Sequence, residues 1–370
     1  MRICYLFNSS IPSHNASSLQ VIKTCEGLTQ LNHKVFIITP DTGFNSNTKN
    51  YYDLKFKPIR IKLNFFKKFP KGINYYLFSI FSVIKSTSLR PDIFITRNLF
   101  TLIILIMLNK SVIIELHHDL SNEGKFIKFI YSKFDILNSK NILKIVAITK
   151  SVKNFLTKEL KVLKKKIQII PSASSLKMKF SELKRKKKYN VGYFGSLDKT
   201  KGSNFLIELS KIDKVNNYFI YGGDRKQINY LRKNFTNKNL HLHEHVSYKN
   251  LKHHIKKMDV LVMPSNKQTL RSLGGIGNIA KYTSPLKLFD YLASGKFIIV
   301  SNLKVFNEII KNNKHCIVLD LVHNTWCRVI KNINKNIKMI NILKKNAFIL
   351  SKNFTYKKRA QKLLDGLIYK

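Results

Sequence analysis

Three short stretches of this chain combine residue types that could do chemistry. The first, "YFGSLDKTKGSNFL" (193–206), runs from an apolar segment through Gly195 and Ser196 to a second turn, "KTKG", which opens a helical segment. Free amides at a helix start beside a lysine form an anion site, and Lys201 is the natural phosphate ligand there. The second, "SPLKLFDYLASGKFIIVS" (284–301), offers Ser284 as an N-cap and Pro285 at the first helical position. Leu286, Phe289, Leu292 and Ala293 then recur at helical spacing, and Gly295 sits where a left-handed stop belongs. Asp290 interrupts that apolar pattern in a chain with only 20 acids. Read locally, it is a surface partner for Lys287 three residues back, worth about a few tenths of a kcal/mol. Read chemically, it is a carboxylate that accepts from ribose hydroxyls beside two phosphate-friendly helix starts. Together the two stretches describe a nucleotide diphosphate. The third stretch, "IIELHHDL" (113–120), ends an apolar run with Glu115, His117, His118 and Asp119. A histidine just past a strand's carboxyl end could hold a sugar hydroxyl or shuttle a proton. No third metal ligand and no Asp-x-Asp accompany it, so charge neutralisation by lysine and helix ends is expected, with no metal.

Positioning these residues requires strands that end beside them. Apolar runs at 2–7, 34–40, 92–97, 111–117, 144–149 and 166–171 read as buried strands separated by helical segments. The stretch 172–190 loses periodicity and turns basic, as a linker does. The alternation then restarts with strands at 189–195, 217–223, 239–246, 259–264 and 297–300. The pattern predicts an α/β fold of two doubly wound Rossmann-like domains facing across a cleft, with ligands at the carboxyl ends of the strands.

Composition bounds the partners. The chain has 370 residues, 44% of them hydrophobic, enough for two buried cores. Its formal charge of +47 comes mostly from lysine, spread along the chain with abundant Asn, Ile and Phe. That pattern suits drift on solvated faces, though the field favours polyanions whatever its origin. A basic nucleic-acid-binding protein is the rival reading from another class. Against it, no nucleic-acid module is present and the aromatics look like core, so no specific nucleic acid is expected. The four cysteines lack metal spacing, which suits reduced thiols in a cytoplasmic protein. The N-terminal apolar run is too short for a signal peptide, and "LFTLIILIML" (99–108) is about half of a membrane span.

The same residues resemble glycosyltransferase family 4, retaining enzymes of the two-domain B-type glycosyltransferase fold. The resemblance runs nearly end to end through "ASSLQVIKTCEGLTQLNHKVFIITP", "ELHHD", "VGYFGSLDKTKG", "SPLKLFDYLASGKFIIVSN" and "FTYKKRAQKLL". It implies an N-terminal acceptor-side domain (1–172), a linker (173–188) and a C-terminal nucleotide-sugar domain (189–350). A closing helix (351–370) would return to the first domain. It also implies that Lys201 neutralises the donor diphosphate and that His117 lies near the donor sugar, the two catalytic residues. Glu115 and His118 would share that segment. Ser17 and Ser18 would lie in a loop closing over the donor, Gly195 and Ser196 in the phosphate turn. Ser284, Pro285, Leu286 and Lys287 would form the helix start that meets the phosphate, and Asp290 would hold the ribose. Four features depart from the family pattern: Ser196 replaces a basic partner, Tyr282 replaces the first of two acids, the linker turn reads "PSAS", and Asp290 is one methylene shorter than the usual Glu.

The expected activity is metal-independent transfer from a nucleotide-diphosphate sugar to a saccharide or lipid-linked acceptor in cell-surface polysaccharide or lipopolysaccharide synthesis. A sugar-nucleotide epimerase on the same fold is the enzymatic alternative. Basic and aromatic residues at 64–85, including Lys67, Lys68 and Lys71 with Phe65, Phe66 and Phe69, suit an anionic membrane surface. Peripheral attachment to the inner face of the cell membrane is therefore expected. The plainer reading of that stretch makes Leu77, Ile80, Phe81 and Ile84 the core face of an ordinary helix.

Overall fold

Short apolar runs buried on both faces pair into two parallel sheets, one in each of two units. The computed structural model describes residues 1–41, 47–64, 70–120, 123–271 and 278–367. One unit comprises Met1–Ala173 with Thr355–Lys370, the other Ser174–Phe354.

The first unit's strands are β1 (Arg2–Leu6), β2 (Lys34–Pro40), β3 (Ile59–Leu63), β4 (Ile93–Thr96), β5 (Val112–Leu116), β6 (Ile142–Ala147) and β7 (Ile167–Ile169). They lie in the order β3-β2-β1-β4-β5-β6-β7, all parallel, so the strand order reverses between β1 and β4. In doubly wound sheets the crevice at that reversal is where ligands bind. The second unit carries β8 (Asn190–Phe194), β9 (Asn217–Tyr221), β10 (Leu240–His243), β11 (Val260–Met263), β12 (Phe297–Ser301) and β13 (Ile317–Leu319). Their order is β10-β9-β8-β11-β12-β13, again parallel, with the reversal between β8 and β11.

Period-2 alternation sorts the second sheet's side chains onto two cores. Val191, Tyr193, Val260, Val262, Phe297 and Ile299 pack on one side with Trp326 and Leu206. Phe194, Leu261, Met263, Ile298 and Val300 pack on the other with Phe289 and Leu292. Two strands, β3 and β13, were not anticipated. Both are sheet edges, and neither carries a continuous buried run.

Residues 173–188, read as a linker, require a correction. From Ser174 on they belong to the second unit, where Leu183 is buried and its backbone N–H donates to Asn341 Oδ1 at 2.7 Å. The basic side chains in this stretch stay outside while its backbone is held, which is why hydrophobic periodicity misses it. The helix Tyr356–Leu364 packs on the first unit against the helix Ala16–Gln30. A Cβ built on Gly27 would lie 2.4 Å from the Tyr356 carbonyl oxygen, so only glycine permits this approach. Cys4, Cys25, Cys316 and Cys327 are all buried free thiols.

The helix Lys71–Thr87 also corrects the sequence reading. Its buried face is Phe78, Ser79, Ser82, Val83 and Ser86, with the serine hydroxyls donating to the preceding helix turn. Ile80, Phe81 and Ile84 face outward, Ile84 being 60% exposed. Small serines let this helix lie close against its unit, an advantage that a hydropathy pattern does not register. Lys67, Lys68, Phe65, Phe66 and Phe69 lie outside the described residues, as does the side chain of Lys71.

Candidate active site

The second unit brings two lysines and a glycine turn together where its strand order reverses. Leaving β8, the chain turns at Gly195 and Ser196, and Tyr193 Oη donates to the Ser196 carbonyl at 2.9 Å. Asp198 then caps a single tight turn, Lys199–Lys201, by accepting from Thr200 N and Thr200 Oγ1. Burial alone would raise the Asp198 carboxyl; those two hydrogen bonds, with Lys201 and Arg271, lower it instead. Gly202 follows at φ +88°, and a Cβ there would meet the Pro264 carbonyl oxygen at 2.0 Å. The helix Ser203–Ile212 begins from this glycine.

The helix Leu286–Ser294 supplies the other half. Pro285, not Ser284, occupies its N-cap position, with an extended backbone and no side-chain cap hydrogen bond. Proline's fixed φ is compatible with that extended geometry, so the helix starts one residue later than expected. Gly295 ends it in the left-handed conformation, φ +65°. Leu286 and seven of the helix's other eight residues are buried. Lys287 differs. Its Nζ lies 4.2 Å from the centroid of the Tyr193 ring, and a Cβ built on Gly195 would stand 2.6 Å from it. That ammonium is buried and has no hydrogen-bond partner among the described residues; neither has Ser196 Oγ. Burial, reinforced by the charge of Lys201, pushes Lys287 down to about 7. Burial likewise lowers Lys201, with Asp198 opposing the shift. Two lysines thus lie near each other, and Lys287 Nζ, at the Gly195 turn, has no hydrogen-bond partner among the described residues. The pair with Asp290 that sequence spacing suggested for Lys287 does not form.

Asp290 is not a surface acid. It is 5% exposed, and its Oδ1 accepts from Ser174 Oγ at 2.5 Å and from Tyr248 Oη at 2.9 Å. Ser174 Oγ in turn accepts from Leu176 N. The carboxylate therefore joins the start of the second unit to the helix Tyr248–Lys256. Tyr282, at the place of the missing acid, is half-buried in the turn before the helix.

In the first unit, the carboxyl ends of β1, β4 and β5 carry a buried polar cluster. Tyr5 Oη donates to Glu115 Oε2 at 2.6 Å. Arg359, from the last helix, donates to Glu115 Oε1, to Thr24 Oγ1 and to the carbonyls of Ile170 and Pro171. Burial favours the neutral acid, but the Arg359 guanidinium, His117 and Arg97 override it and hold Glu115 well below the usual carboxylate range. Glu115, expected as a substrate ligand, is instead fully engaged in the fold. His117 Nε2 stands 3.7 Å from Glu115 Oε1, beyond hydrogen-bond reach, and is buried with no hydrogen-bond partner among the described residues. Burial first, then the charge of Arg97, push this imidazole down to about 3, so it is neutral at physiological pH. His118 Nδ1 contacts the Asp119 carbonyl beside it.

Ser17 and Ser18 are corrected as well. Both lie in the first turn of the helix Ala16–Gln30 rather than in a loop. Ser18 is fully buried, donating to the Ser10 carbonyl and accepting from Ser13 Oγ, both at 2.8 Å. Ser17 is half-buried. The residues that sequence reading missed are Arg97 and Arg359. Arginine ending the strand "DIFITR" was a local signal for the first; nothing local marks the second. Among the described residues, no group of three or more His, Cys, Asp and Glu is arranged to hold a metal ion.

Comparison with known proteins agrees with this architecture. Over 99% of both chains, the structure resembles Anabaena Alr3699/HepE in complex with UDP-glucose, at 12% identity and a TM-score of 0.69. It resembles sucrose-phosphate synthase from Thermosynechococcus elongatus at 14% identity and a TM-score of 0.73, covering 98% of this chain and 97% of that one. It also resembles WaaG, a glycosyltransferase involved in lipopolysaccharide biosynthesis, at 12% identity and a TM-score of 0.65, covering 99% and 100%. These likenesses show the B-type glycosyltransferase fold. No curated protein matches the sequence. The family model for glycosyl transferases group 1 matches residues 174–361, and that for glycosyltransferase family 4 matches residues 18–174. The chain belongs to the family 4-type glycosyltransferases.

Proposed function

We propose that this glycosyltransferase is a retaining enzyme that takes its sugar from a nucleotide-diphosphate donor held on the second unit. One observation carries the reading: the buried Lys287 ammonium at the Gly195 turn, near Lys201, stacked on the Tyr193 ring but without a hydrogen-bond partner among the described residues. A buried cation with no counter-group is costly, and a diphosphate at that turn would supply one. Lys287 also answers the loss of a basic residue at Ser196, by delivering charge to the same turn from another helix. In the transfer, the bond between the anomeric carbon and the diphosphate oxygen breaks as the acceptor hydroxyl oxygen bonds to that carbon. The hydroxyl proton leaves with the diphosphate. Lysines fixed in advance where that charge develops lower the barrier, and no step calls on a metal. Asp290 is proposed to keep its second role as the ribose ligand, and neutral His117 to hold a hydroxyl of the transferred sugar.

The acceptor is proposed to be a saccharide or lipid-linked saccharide of cell-surface polysaccharide or lipopolysaccharide synthesis, met at the inner face of the membrane. Among the described residues no helix is long and apolar enough to cross a membrane. The support for surface attachment is the outward apolar face of Ile80, Phe81 and Ile84, together with the helix Lys125–Lys133. In that helix Phe126 and Phe129 are more than half exposed beside Lys125, Lys128 and Lys133, and Phe134 follows. The ring centroids of Tyr76 and Phe126 are 6.4 Å apart, which brings the two helices together. Lysines interleaved with aromatics suit an anionic headgroup layer.

Calorimetry with a panel of nucleoside diphosphates, in buffer containing EDTA, tests the donor reading. One base should bind to the wild type and lose affinity in Lys287→Met. Equal affinity in both proteins would refute it.

A further inference from the structure

Arg97 is a charged residue that the donor reading does not use. It lies just past β4, beside the reversal of strand order in the first sheet. Tyr5, Ile95 and Ile113 are register partners, so Arg97, Glu115 and His117 follow by steps of two on the same face of the sheet. Within that cluster Glu115 is already neutralised by Arg359 and bonded to Tyr5. Arg97 Nη1 is buried with no hydrogen-bond partner among the described residues, as is His117 Nε2. The cluster therefore holds two guanidinium groups and one carboxylate. Its surplus positive charge sits beside a neutral imidazole, at the place where doubly wound sheets bind ligands.

We infer that Arg97 binds an anionic oxygen group, a phosphate ester or a carboxylate, carried by the acceptor of the transfer. Guanidinium presents a planar fork suited to such oxygens, and the partly dry setting strengthens the contact. The assignment to an acceptor rests on the glycosyltransferase reading; the anion site itself does not.

The test uses the full chain carrying Lys201→Ala and Lys287→Met, so that the lysine cradle of the second unit no longer contributes. Inorganic phosphate and, separately, acetate are titrated by calorimetry into this protein and into the same protein with Arg97→Met added. Phosphate affinity should fall about tenfold or more with Arg97→Met, the scale of a lost charge-assisted hydrogen bond. Stronger binding of phosphate than acetate would assign a phosphate ester, and the reverse order a carboxylate. Without added anion, Arg97→Met should melt at or above the temperature of its parent, because it removes a half-buried guanidinium whose Nη1 has no hydrogen-bond partner among the described residues. Unchanged phosphate affinity, or no phosphate binding in the parent, would overturn the inference. So would a lowered melting temperature without anion, the mark of a purely structural arginine. In the otherwise wild-type chain, Arg97→Met should leave nucleoside diphosphate affinity unchanged; a loss there would move Arg97 to the donor. Failure of the donor reading would appear separately, in Lys287→Met.

Discussion

Arg359 and Glu115, 244 residues apart in sequence, form a buried ion pair in which the side chains are 2% and 1% exposed. The pair fastens the last helix to the sheet of the first unit, and Tyr5, Thr24 and two backbone carbonyls complete its hydrogen bonds. Such a pair is worth little against an apolar replacement of the whole, but breaking it from one side strands a charge. Arg359→Met should therefore cost about 3–5 kcal/mol in urea unfolding. Adding Glu115→Gln should recover part of that loss. The sign with pH follows from the depressed Glu115 carboxyl. Its contribution is complete above the unfolded value of 4.5 and declines as pH falls below it toward the folded value. Acid titration of wild type against the double variant measures this difference.

Lys287 shares that direction in a higher pH range, although here burial makes the charged form a cost rather than a gain. Its folded value, about 7, lies below the ordinary 10.5, so the unfolded chain binds more protons between those limits. Stability contributed by this group should rise with pH from about 7 to 10.5, and Lys287→Met should flatten the rise. A diphosphate should draw the proton back. At pH 8 its binding should take up protons, seen by calorimetry in two buffers of different ionisation enthalpy. The uptake should vanish in Lys287→Met, and wild-type affinity should weaken as pH climbs above 7.

Lys201 stands on a turn held by Asp198 and Gly202, and it is not part of a core. Lys201→Ala should leave the melting temperature nearly unchanged while lowering turnover about a hundredfold or more, the scale for removing one preorganised transition-state charge partner. A turnover assay on a protein of confirmed fold decides it.

Asp290→Asn keeps an oxygen that can accept from Ser174 and Tyr248, so its stability cost should stay near about 1 kcal/mol. Asp290→Leu leaves both hydroxyls without this acceptor and should cost more. If the carboxylate also holds ribose, Asp290→Asn should weaken nucleoside diphosphate binding by about 1–3 kcal/mol. Tyr248→Phe removes a donor without touching that charge, and it separates the two roles.

Liposome flotation tests the outward face of the first unit. Wild type should float with anionic vesicles more than with neutral ones. Phe126→Ser with Phe129→Ser, and Lys125→Glu with Lys128→Glu, should each reduce flotation. Because these side chains are exposed, neither change should alter the melting temperature by more than about 0.5 kcal/mol of stability implies. Undiminished flotation would remove this helix as the contact.

Sequence alone determined what is local. Continuous apolar runs marked the buried strands, since burial on both faces removes alternation. Glycine marked the positions of required positive φ at Gly202 and Gly295. The lysine turn and the helix around Asp290 were legible for the same reason, each being a contiguous stretch with its own start and stop. Only the tertiary structure decided what those residues face. The edge strands β3 and β13 needed their neighbours to form, and the serine-lined face of Lys71–Thr87 was chosen by close packing rather than hydropathy. Lys287 turned from a partner of Asp290 into an ammonium without a hydrogen-bond partner among the described residues because a buried helix aims it at Gly195. Glu115 was claimed by Arg359 from the far end of the chain, which freed the charge of Arg97. Hydrogen bonds and charges between distant segments leave no periodic trace in a sequence. They arise when folding excludes water and each buried polar group must find a partner or wait for a ligand.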